Sequence, residues 1–247
     1  MGVIFFNNIS CEDYGIVVEH YPEYQTPSRD YDMVHVPGRN GDVAIDQGSF
    51  QNVDRVYQIA VGSYEKRYTE QVNAIAEWLH GPAGYAKLED SYEPEYYRMA
   101  VCTDGFEAEN MKHMLARTTI TFNCKPQRWL KSGDTPISIG SGSQIIKNPT
   151  RFTSSPIIKI TCTGNGSFTI QNKNTYTYTV TLNNVPGGGI VIDSYIMDAY
   201  SLSTPRENRN SCVTLSNGFP RLTPGDNTIT ASAGINTMEV IPKWWTV

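Results

Sequence analysis

The sequence predicts a mainly β protein with two β domains and one α-helix. Its 247 residues allow one large β domain or two ordinary ones. Short runs of alternating apolar and polar residues recur along the chain, which is typical of half-buried strands. Past Trp129 the composition shifts towards Gly, Ser, Thr and Pro. We therefore predict domains over residues 1–131 and 132–247.

The first domain begins with short strands and a turn-rich stretch. A loop is predicted over 21–32, an extended segment over 34–36, and turns at Pro37-Gly38 and Asn40-Gly41. The alternating stretch 53–63 predicts a strand with core positions at Val56, Ile59 and Val61. The remaining strands predicted before the helix are 3–6, 15–18 and one resuming at Val43 and Ile45.

One helix is predicted next. Thr69 is its candidate N-cap, and Gly81-Pro82 ends it. Its apolar residues follow the spacing i, i+3, i+4, i+7, a narrow stripe that covers one face of a sheet. This stripe consists of Val72, Ile75, Ala76 and Leu79. Strands are then predicted over 85–88, 96–102 and 118–124, with the last ending before Pro126 because proline cannot donate to a ladder.

The second half predicts a β-sandwich. Residues 131–156 are rich in turn formers and predict a linker followed by the first strand of the domain. Gly164-Asn165-Gly166 predicts a hairpin that joins strands 157–163 and 167–171. Further short strands at regular spacing are typical of a sandwich. These are 174–185, 188–194, 211–215, 228–231 and the C-terminal 237–245.

Composition argues against several classes of protein. A net charge of −5 without a basic run argues against nucleic-acid binding. The N-terminus lacks the pattern of a signal peptide, and no segment has the roughly 20 apolar residues of a membrane helix. Five widely spaced cysteines without a Cys-x-x-Cys pair indicate small buried side chains and a reducing compartment. We therefore expect a protein that is made and kept in a cytoplasm, unless something larger carries it out, and that has no membrane partner.

No catalytic, cofactor or metal signature is present, so the sequence predicts a protein that is not an enzyme. Nucleophile-elbow, zinc-protease and phosphate-loop patterns are absent, and the four histidines share no spacing. An acidic cluster could house a glycosidase pair or a cation, but a solvated hairpin tip is the preferred interpretation. Trp244 and Trp245 face opposite sides of a strand, which favours burial or a subunit contact over sugar stacking. The acidic cluster consists of Glu89, Asp90, Glu93 and Glu95.

The order of several stretches resembles the distal tail protein (Dit) family of siphophages. The strand ending "FNCKP" looks like the family's domain boundary, and "VPGRNGDV" looks like its Pro-Gly-Arg-x-Gly turn. "AIAEWL" with "YAKLEDSYEPEYYRMAVC" resembles its helix and the two following strands, and "NPTRFTSSPIIKITCTGNGSFTIQN" its linker and first sandwich strands. "VIDSYIMDAYS", "FPRLTPGDNTITAS" and "VIPKWW" resemble its late strands. The resemblance covers nearly the whole chain.

This resemblance implies a tail-tube-like β-sandwich with one flanking helix, followed by a galectin-like β-sandwich. It implies a structural virion protein at the distal end of the tail, where six copies form an adaptor ring. The implied partners are the chain itself, the major tail tube protein, a tail-associated hub or fibre protein and receptor-binding proteins. No cofactor is implied.

Two sets of residues are candidate contact sites. The turn containing Gly38, Arg39, Gly41 and Asp42 suits a loop that reaches a neighbour's acidic edge in a ring, and an ordinary hairpin tip is the alternative. Pro126 and Trp129 lie at the composition change, where Trp129 can anchor one domain on the other.

Three other functions remain open from sequence. The first is a carbohydrate-binding module that attaches to host wall glycans, although the galectin pattern His-x-Asn-x-Arg is absent. The second is a wall-degrading hydrolase, and the third is a tail tube subunit.

Overall fold

The computed structural model confirms a mainly β fold and describes residues 2–62, 68–105, 116–140, 142–162, 164–173, 176–204, 207–232 and 234–247. The chain divides into two compact units. The first comprises Met1–Arg128 with Val247, and the second comprises Trp129–Thr246. His113, one of the four histidines, and the last residue of the predicted strand 53–63 lie outside the described residues.

One large sheet forms the frame of the first unit. Seven of its strands follow one another in the order β2-β1-β7-β8-β9-β6-β3, and a separate two-stranded sheet pairs β4 with β5. The elements are β1 Ile4–Phe6, β2 Ile9–Ser10, a short 3-10 helix Cys11–Tyr14, β3 Ile16–Val18, β4 Arg29–Val34, β5 Val43–Phe50, β6 Val53–Val61, α1 Tyr68–His80, β7 Ala86–Asp90, β8 Tyr96–Cys102 and β9 Ala116–Leu130.

Strand β6 has the predicted alternation, and two of its three predicted core positions are buried. Ile59 and Val61 are buried as predicted, whereas Val56 is 38% exposed. Because neighbouring strand residues face opposite sides, the buried phase contains Tyr57 and also Arg55, which is only 3% exposed. The apolar Val56 was predicted in the core, but the inward position belongs to Arg55, which meets charged partners there.

Helix α1 confirms the predicted helix and covers the sheet with a wider face than predicted. Ile75 and Leu79 are buried, and so is Trp78, whose indole Nε1 donates to the carbonyl of Phe6 at 3.1 Å. The Trp78 ring meets Phe6 edge-on with a centroid distance of 6.2 Å. The helix begins at Tyr68, so the predicted cap Thr69 lies inside its first turn.

Two predictions at strand ends in the first unit were wrong. The predicted loop 21–32 contains the start of β4 at Arg29, where pairing with β5 imposes an extended backbone. Strand β9 does not stop at Pro126 but continues to Leu130. The paired register between β6 and β9 ends at Val53 and Cys124, two residues earlier. The missing N–H of Pro126 therefore costs no bond to β6.

The second unit is a β-sandwich of two five-stranded sheets. One sheet has the order β10-β19-β12-β15-β16 and the other β11-β18-β13-β14-β17. Buried residues from both sheets, such as Ile158 and Phe168, belong to one hydrophobic core. The elements are a 3-10 helix Lys131–Asp134, β10 Ile137–Ile139, β11 Gly142–Asn148, β12 Ile157–Thr161, β13 Gly164–Asn172, β14 Thr177–Val185, β15 Ile190–Asp193, β16 Asp198–Ser201, a 3-10 helix Asn210–Cys212, β17 Val213–Leu215, β18 Gly225–Ala231, β19 Thr237–Ile241 and β20 Trp245–Thr246.

The structure corrects two predictions in this unit. The stretch predicted as a linker and one entry strand contains two strands, β10 and β11, which are stabilised by pairing with the distant strands β19 and β18. The predicted hairpin around Gly164-Asn165-Gly166 does not exist, because β12 and β13 belong to different sheets. The glycines instead lie within β13, at an irregularity in its register with β14.

Candidate functional site

The β4–β5 hairpin forms a sheet of its own, and most of its residues are exposed. Near its base, the Arg29 guanidinium donates from Nε and Nη2 to both oxygens of Asp46, at 2.9 and 2.5 Å to Oδ2. This donation, together with the bond from the Gly48 amide, lowers the pKa of Asp46. Met33 is 61% exposed and Ile45 is 47% exposed. An isolated two-stranded hairpin is at best marginally stable in water, so this one suits a surface that a partner covers.

The tip of this hairpin carries the four residues predicted as an oligomer contact. Gly38 and Gly41 have φ values of 81° and 77°, a region that side chains disfavour, although no atom would crowd an added Cβ. The Arg39 amide donates to the Val36 carbonyl at 3.2 Å, which closes the turn. Asp42 lies 3.3 Å from Nδ1 of His35. The structure thus brings these four residues together at one exposed end, and their role as a contact stays a prediction.

The two residues predicted as an interdomain anchor lie near the boundary of the units. Pro126 is buried within β9, and Trp129 is the first residue of the second unit. In that unit, the Trp129 ring meets Tyr195 edge-on with a centroid distance of 6.1 Å. Its indole Nε1 is buried and finds no hydrogen-bond partner among the described residues. The anchoring role of both residues stays a prediction.

A buried charge network is the main feature of the first unit that the sequence analysis missed. Glu93, with 14% of its side chain exposed, accepts from Arg98 at 3.1 Å, from Arg55 at 3.5 Å and from Arg128. Asp90 accepts from Arg55 at 3.2 Å. The acidic turn was predicted as a solvated hairpin tip; that interpretation was wrong for Asp90 and Glu93, because three arginines from different strands surround them.

Hydrogen bonds within this network set the geometry of the turn. The hydroxyl of Tyr57 donates to Asp90 Oδ2 at 2.6 Å, and burial, followed by the charge of Asp90, raises the pKa of Tyr57 well above its ordinary value. Asp90 Oδ1 also accepts from the amides of Tyr92 and Glu93, at 3.0 and 2.9 Å. Every carboxylate oxygen of the pair therefore has a donor, which is the condition for burying charge. The network fastens the β7–β8 turn to β6, β8 and β9.

A signal for the network was present in the sequence. Arg55 stands in the same phase of the β6 alternation as Val53, Tyr57 and Ile59, so it points inward if they do. An inward arginine needs a carboxylate, and the acidic turn is the nearest concentration of them in the strand order.

The thiols and the C-terminal tryptophans lie mostly in packed surroundings. All five cysteines are free, and only Cys212 is not buried. Burial raises the pKa of Cys124 to about 12 and also raises the pKa of Cys11, Cys102 and Cys162, which keeps these thiols protonated and poorly nucleophilic. Trp244 is 5% exposed, and the Trp245 ring stacks on Phe152 with a centroid distance of 4.5 Å. One face of the Trp245 ring is thus already occupied.

Within the described residues, no group of three or more histidine, cysteine, aspartate or glutamate side chains could hold a metal ion. In the same part of the chain, no helix is both long and apolar enough to cross a membrane.

Comparisons with known proteins give one match in sequence and one match in fold. Residues 137–240 match a family model described as a phage tail C-terminal domain. The crystal structure of the Dit protein (gp 19.1) of SPP1 covers 100% of both chains with a TM-score of 0.76 and 12% identity, so the two share a fold over their full lengths. A second match, to a Bacillus thuringiensis Cry1Da tryptic core variant, covers 98% of this chain and 51% of the variant at 12% identity. Its TM-score of 0.22 is too low to indicate a shared fold. No curated protein matches the chain.

The two informative findings concern different properties of the chain. The family model concerns the sequence of the second unit, whereas the structural likeness concerns the fold of both units. Both agree with the resemblance described from the sequence motifs. The second unit thus matches a phage tail domain in sequence, and the whole chain shares the fold of the SPP1 Dit protein.

Proposed function

We propose that this chain is the structural subunit of a hexameric adaptor ring at the distal end of a phage tail. The observation that carries the proposal is the shared fold with the SPP1 Dit protein over 100% of both chains. That protein is described as a paradigm of the hub adsorption apparatus in phages that infect Gram-positive bacteria. The matched phage tail C-terminal domain supports the same placement in a virion tail.

In this proposal the two domains have different roles. Residues 1–131 form the ring around the tail channel, with the tail tube protein on one side and a hub or fibre protein on the other. Residues 132–247 project outward and hold receptor-binding proteins. The role is structural and not enzymatic. Before assembly into the particle, the chain is located in the cytoplasm of the bacterial host.

The hairpin tip supplies the contact between neighbouring copies. Arg39 is the cation of an ordered, exposed turn, and the apolar side chains behind it gain from being covered. Replacing Arg39 by Glu keeps the turn geometry, since its glycines remain, and reverses the charge. We expect R39E to weaken assembly, and an oligomer of unchanged stability would reject this contact.

Light scattering coupled to size exclusion, with negative-stain images of the same fraction, tests the ring. The expected result is a mass of about six times the 27.6 kDa of one chain and a six-fold particle with a central hole. A chain that stays a monomer at every concentration and also in the presence of its tail partners would overturn the proposal. Titration of host wall polysaccharide against the same sample separates the ring from the carbohydrate-binding alternative.

A further inference from the structure

An acidic cleft lies beside the base of the β4–β5 hairpin, between the segment 20–25 and β6. It has a volume of about 200 Å³. Its lining includes the acidic residues Glu23 and Asp54, the amide residues Gln25 and Gln58, and His20 and Tyr21, and it contains no lysine or arginine. The cleft therefore favours a cationic group that can also donate hydrogen bonds.

The size of the cleft limits what can enter it. Clefts that take drug-sized ligands usually measure about 300–1,000 Å³, so this one suits a single long side chain. Its walls are accessible, since Tyr21 is 60% exposed and Val56 is 38% exposed. A guanidinium fits these features because its donors form a fork that matches carboxylate and amide oxygens, and its methylene stem packs on apolar walls.

Arg39 at the hairpin tip has the complementary properties. It is exposed, and within the described residues its side chain makes no hydrogen bond or ion pair. The neighbouring carboxylate of Asp42 is already engaged by His35 at 3.3 Å. Within the described residues the Arg39 guanidinium therefore has no ion-pair partner at the tip, while the carboxylate of Asp42 lies in the same turn.

The tip cannot reach the cleft of its own chain if the hairpin is extended. Six residues of β4 separate the base from the tip, which corresponds to about 20 Å at 3.3 Å per residue. The cation and the acidic cleft therefore lie at opposite ends of one element. Two different patches that fit each other make a head-to-tail contact, and repeated contacts of this kind close into a ring when the rotation allows it.

We propose that Arg39 of one copy inserts into the cleft of the next copy, where Glu23 and Asp54 hold its guanidinium. The partner is a second copy of this chain, and the inference rests on the proposed ring. The exposed apolar side chains along the hairpin, such as Val34 and Met33, then pack against the neighbour and lose their contact with water.

Reciprocal charge reversal tests this contact. One variant is R39E, and the other combines Glu23→Arg with Asp54→Arg, which are exposed positions that leave the buried core intact. Each variant places like charges opposite one another, so each should raise the concentration for half-assembly by about tenfold or more. The matched controls are Arg151→Glu and the pair Glu70→Arg and Glu77→Arg, which make the same charge changes at sites outside the buried core and should assemble like wild type.

Mixing the two variants gives the decisive result. In an alternating ring the acidic tip of the R39E copy meets the basic cleft of its neighbour, and the unaltered tip of the other variant meets an acidic cleft. An equimolar mixture should therefore recover the wild-type mass by light scattering, although neither variant does so alone. Circular dichroism melting of each variant separates loss of assembly from loss of folding, and a variant that unfolds is replaced by the milder Arg39→Gln or Asp54→Asn.

The outcomes distinguish this contact from the ring itself. If both variants assemble like wild type, the contact is wrong while the ring stands. If both become monomers and the mixture stays monomeric, the tip and the cleft do not pair, and the contact is again wrong. If the cleft variant keeps its mass but loses binding to host wall polysaccharide, the cleft is a glycan site. A wild-type chain that never assembles overturns both the ring and the contact.

Discussion

Replacing Glu93 by Gln should destabilise the first unit more than any surface substitution of the same kind. Glu93 is the one carboxylate within the described residues that meets three guanidiniums, those of Arg55, Arg98 and Arg128. Their side chains are 3%, 7% and 13% exposed, so water cannot replace the lost charge. Gln keeps the volume and one acceptor oxygen, but it removes the charge and turns the other oxygen into an NH2 group that faces a guanidinium.

The magnitude follows from the composition of the network. With Asp90 and Glu93 ionised, three positive charges face two negative ones, and E93Q leaves three facing one. Breaking a buried ion pair by removing one partner costs about 3–5 kcal/mol. Because Gln retains one hydrogen-bond acceptor, we expect about 3 kcal/mol, which lowers the melting temperature of a unit of this size by about 10 °C.

Differential scanning calorimetry can measure this loss. Glu95→Gln is the matched control, because Glu95 belongs to the same turn but is exposed and takes no part in the network. The control should change stability by less than about 0.5 kcal/mol. If E93Q melts within that margin of wild type, the network does not stabilise the fold, and the account of the buried charges is wrong.

Three other predictions concern the boundary, the thiols and the hairpin. Trp129→Ala should leave each unit folded but speed limited proteolysis between residues 128 and 137, and an unchanged cleavage pattern would reject the anchor. In the native chain, a thiol reagent at pH 8 should label one of the five cysteines, Cys212, because the other four are buried and their thiols have raised pKa values; denaturation should expose all five, and C212S should remove the native signal. Because the pKa of Asp46 is lowered, its carboxylate stabilises the hairpin fully at pH values above about 3.9, the ordinary pKa of a carboxyl group. This stabilisation is lost as the pH falls through the lowered pKa of Asp46. An NMR titration of R29Q should return the Asp46 pKa towards that ordinary value, and a titration curve that matches wild type would contradict the Arg29 contact.

The periodicity of the sequence was sufficient for most elements of the first unit. The stripe containing Ile75 and Leu79 predicted α1 because an apolar repeat of 3.6 residues has no other regular solution. The alternation in β6 predicted a strand but not its phase, since Arg55 and Val56 both had to be assigned to a side. An arginine is buried only when distant carboxylates meet it, and Glu93 is 38 residues away in sequence.

The candidate site, like the first unit, was predicted from the sequence only in part. The glycines around Arg39 predicted an ordered turn from local backbone preference alone, and that turn is present at the exposed tip of a hairpin. Nothing local indicated that β4 and β5 would form a sheet apart from the large one, or that an acidic cleft would lie at its base.

The sequence by itself determined the mainly β class, the single predicted helix, the turn around Arg39 and the resemblance to phage tail proteins, because each depends on residues close together in the chain. Only the tertiary structure decided which strands share a sheet. Residues 164–166 resemble a hairpin turn, yet β12 pairs with β15 and β19 while β13 pairs with β14 and β18. A strand's partners are chosen by the burial of its apolar face in a shared core, and that energy depends on residues far apart in the chain.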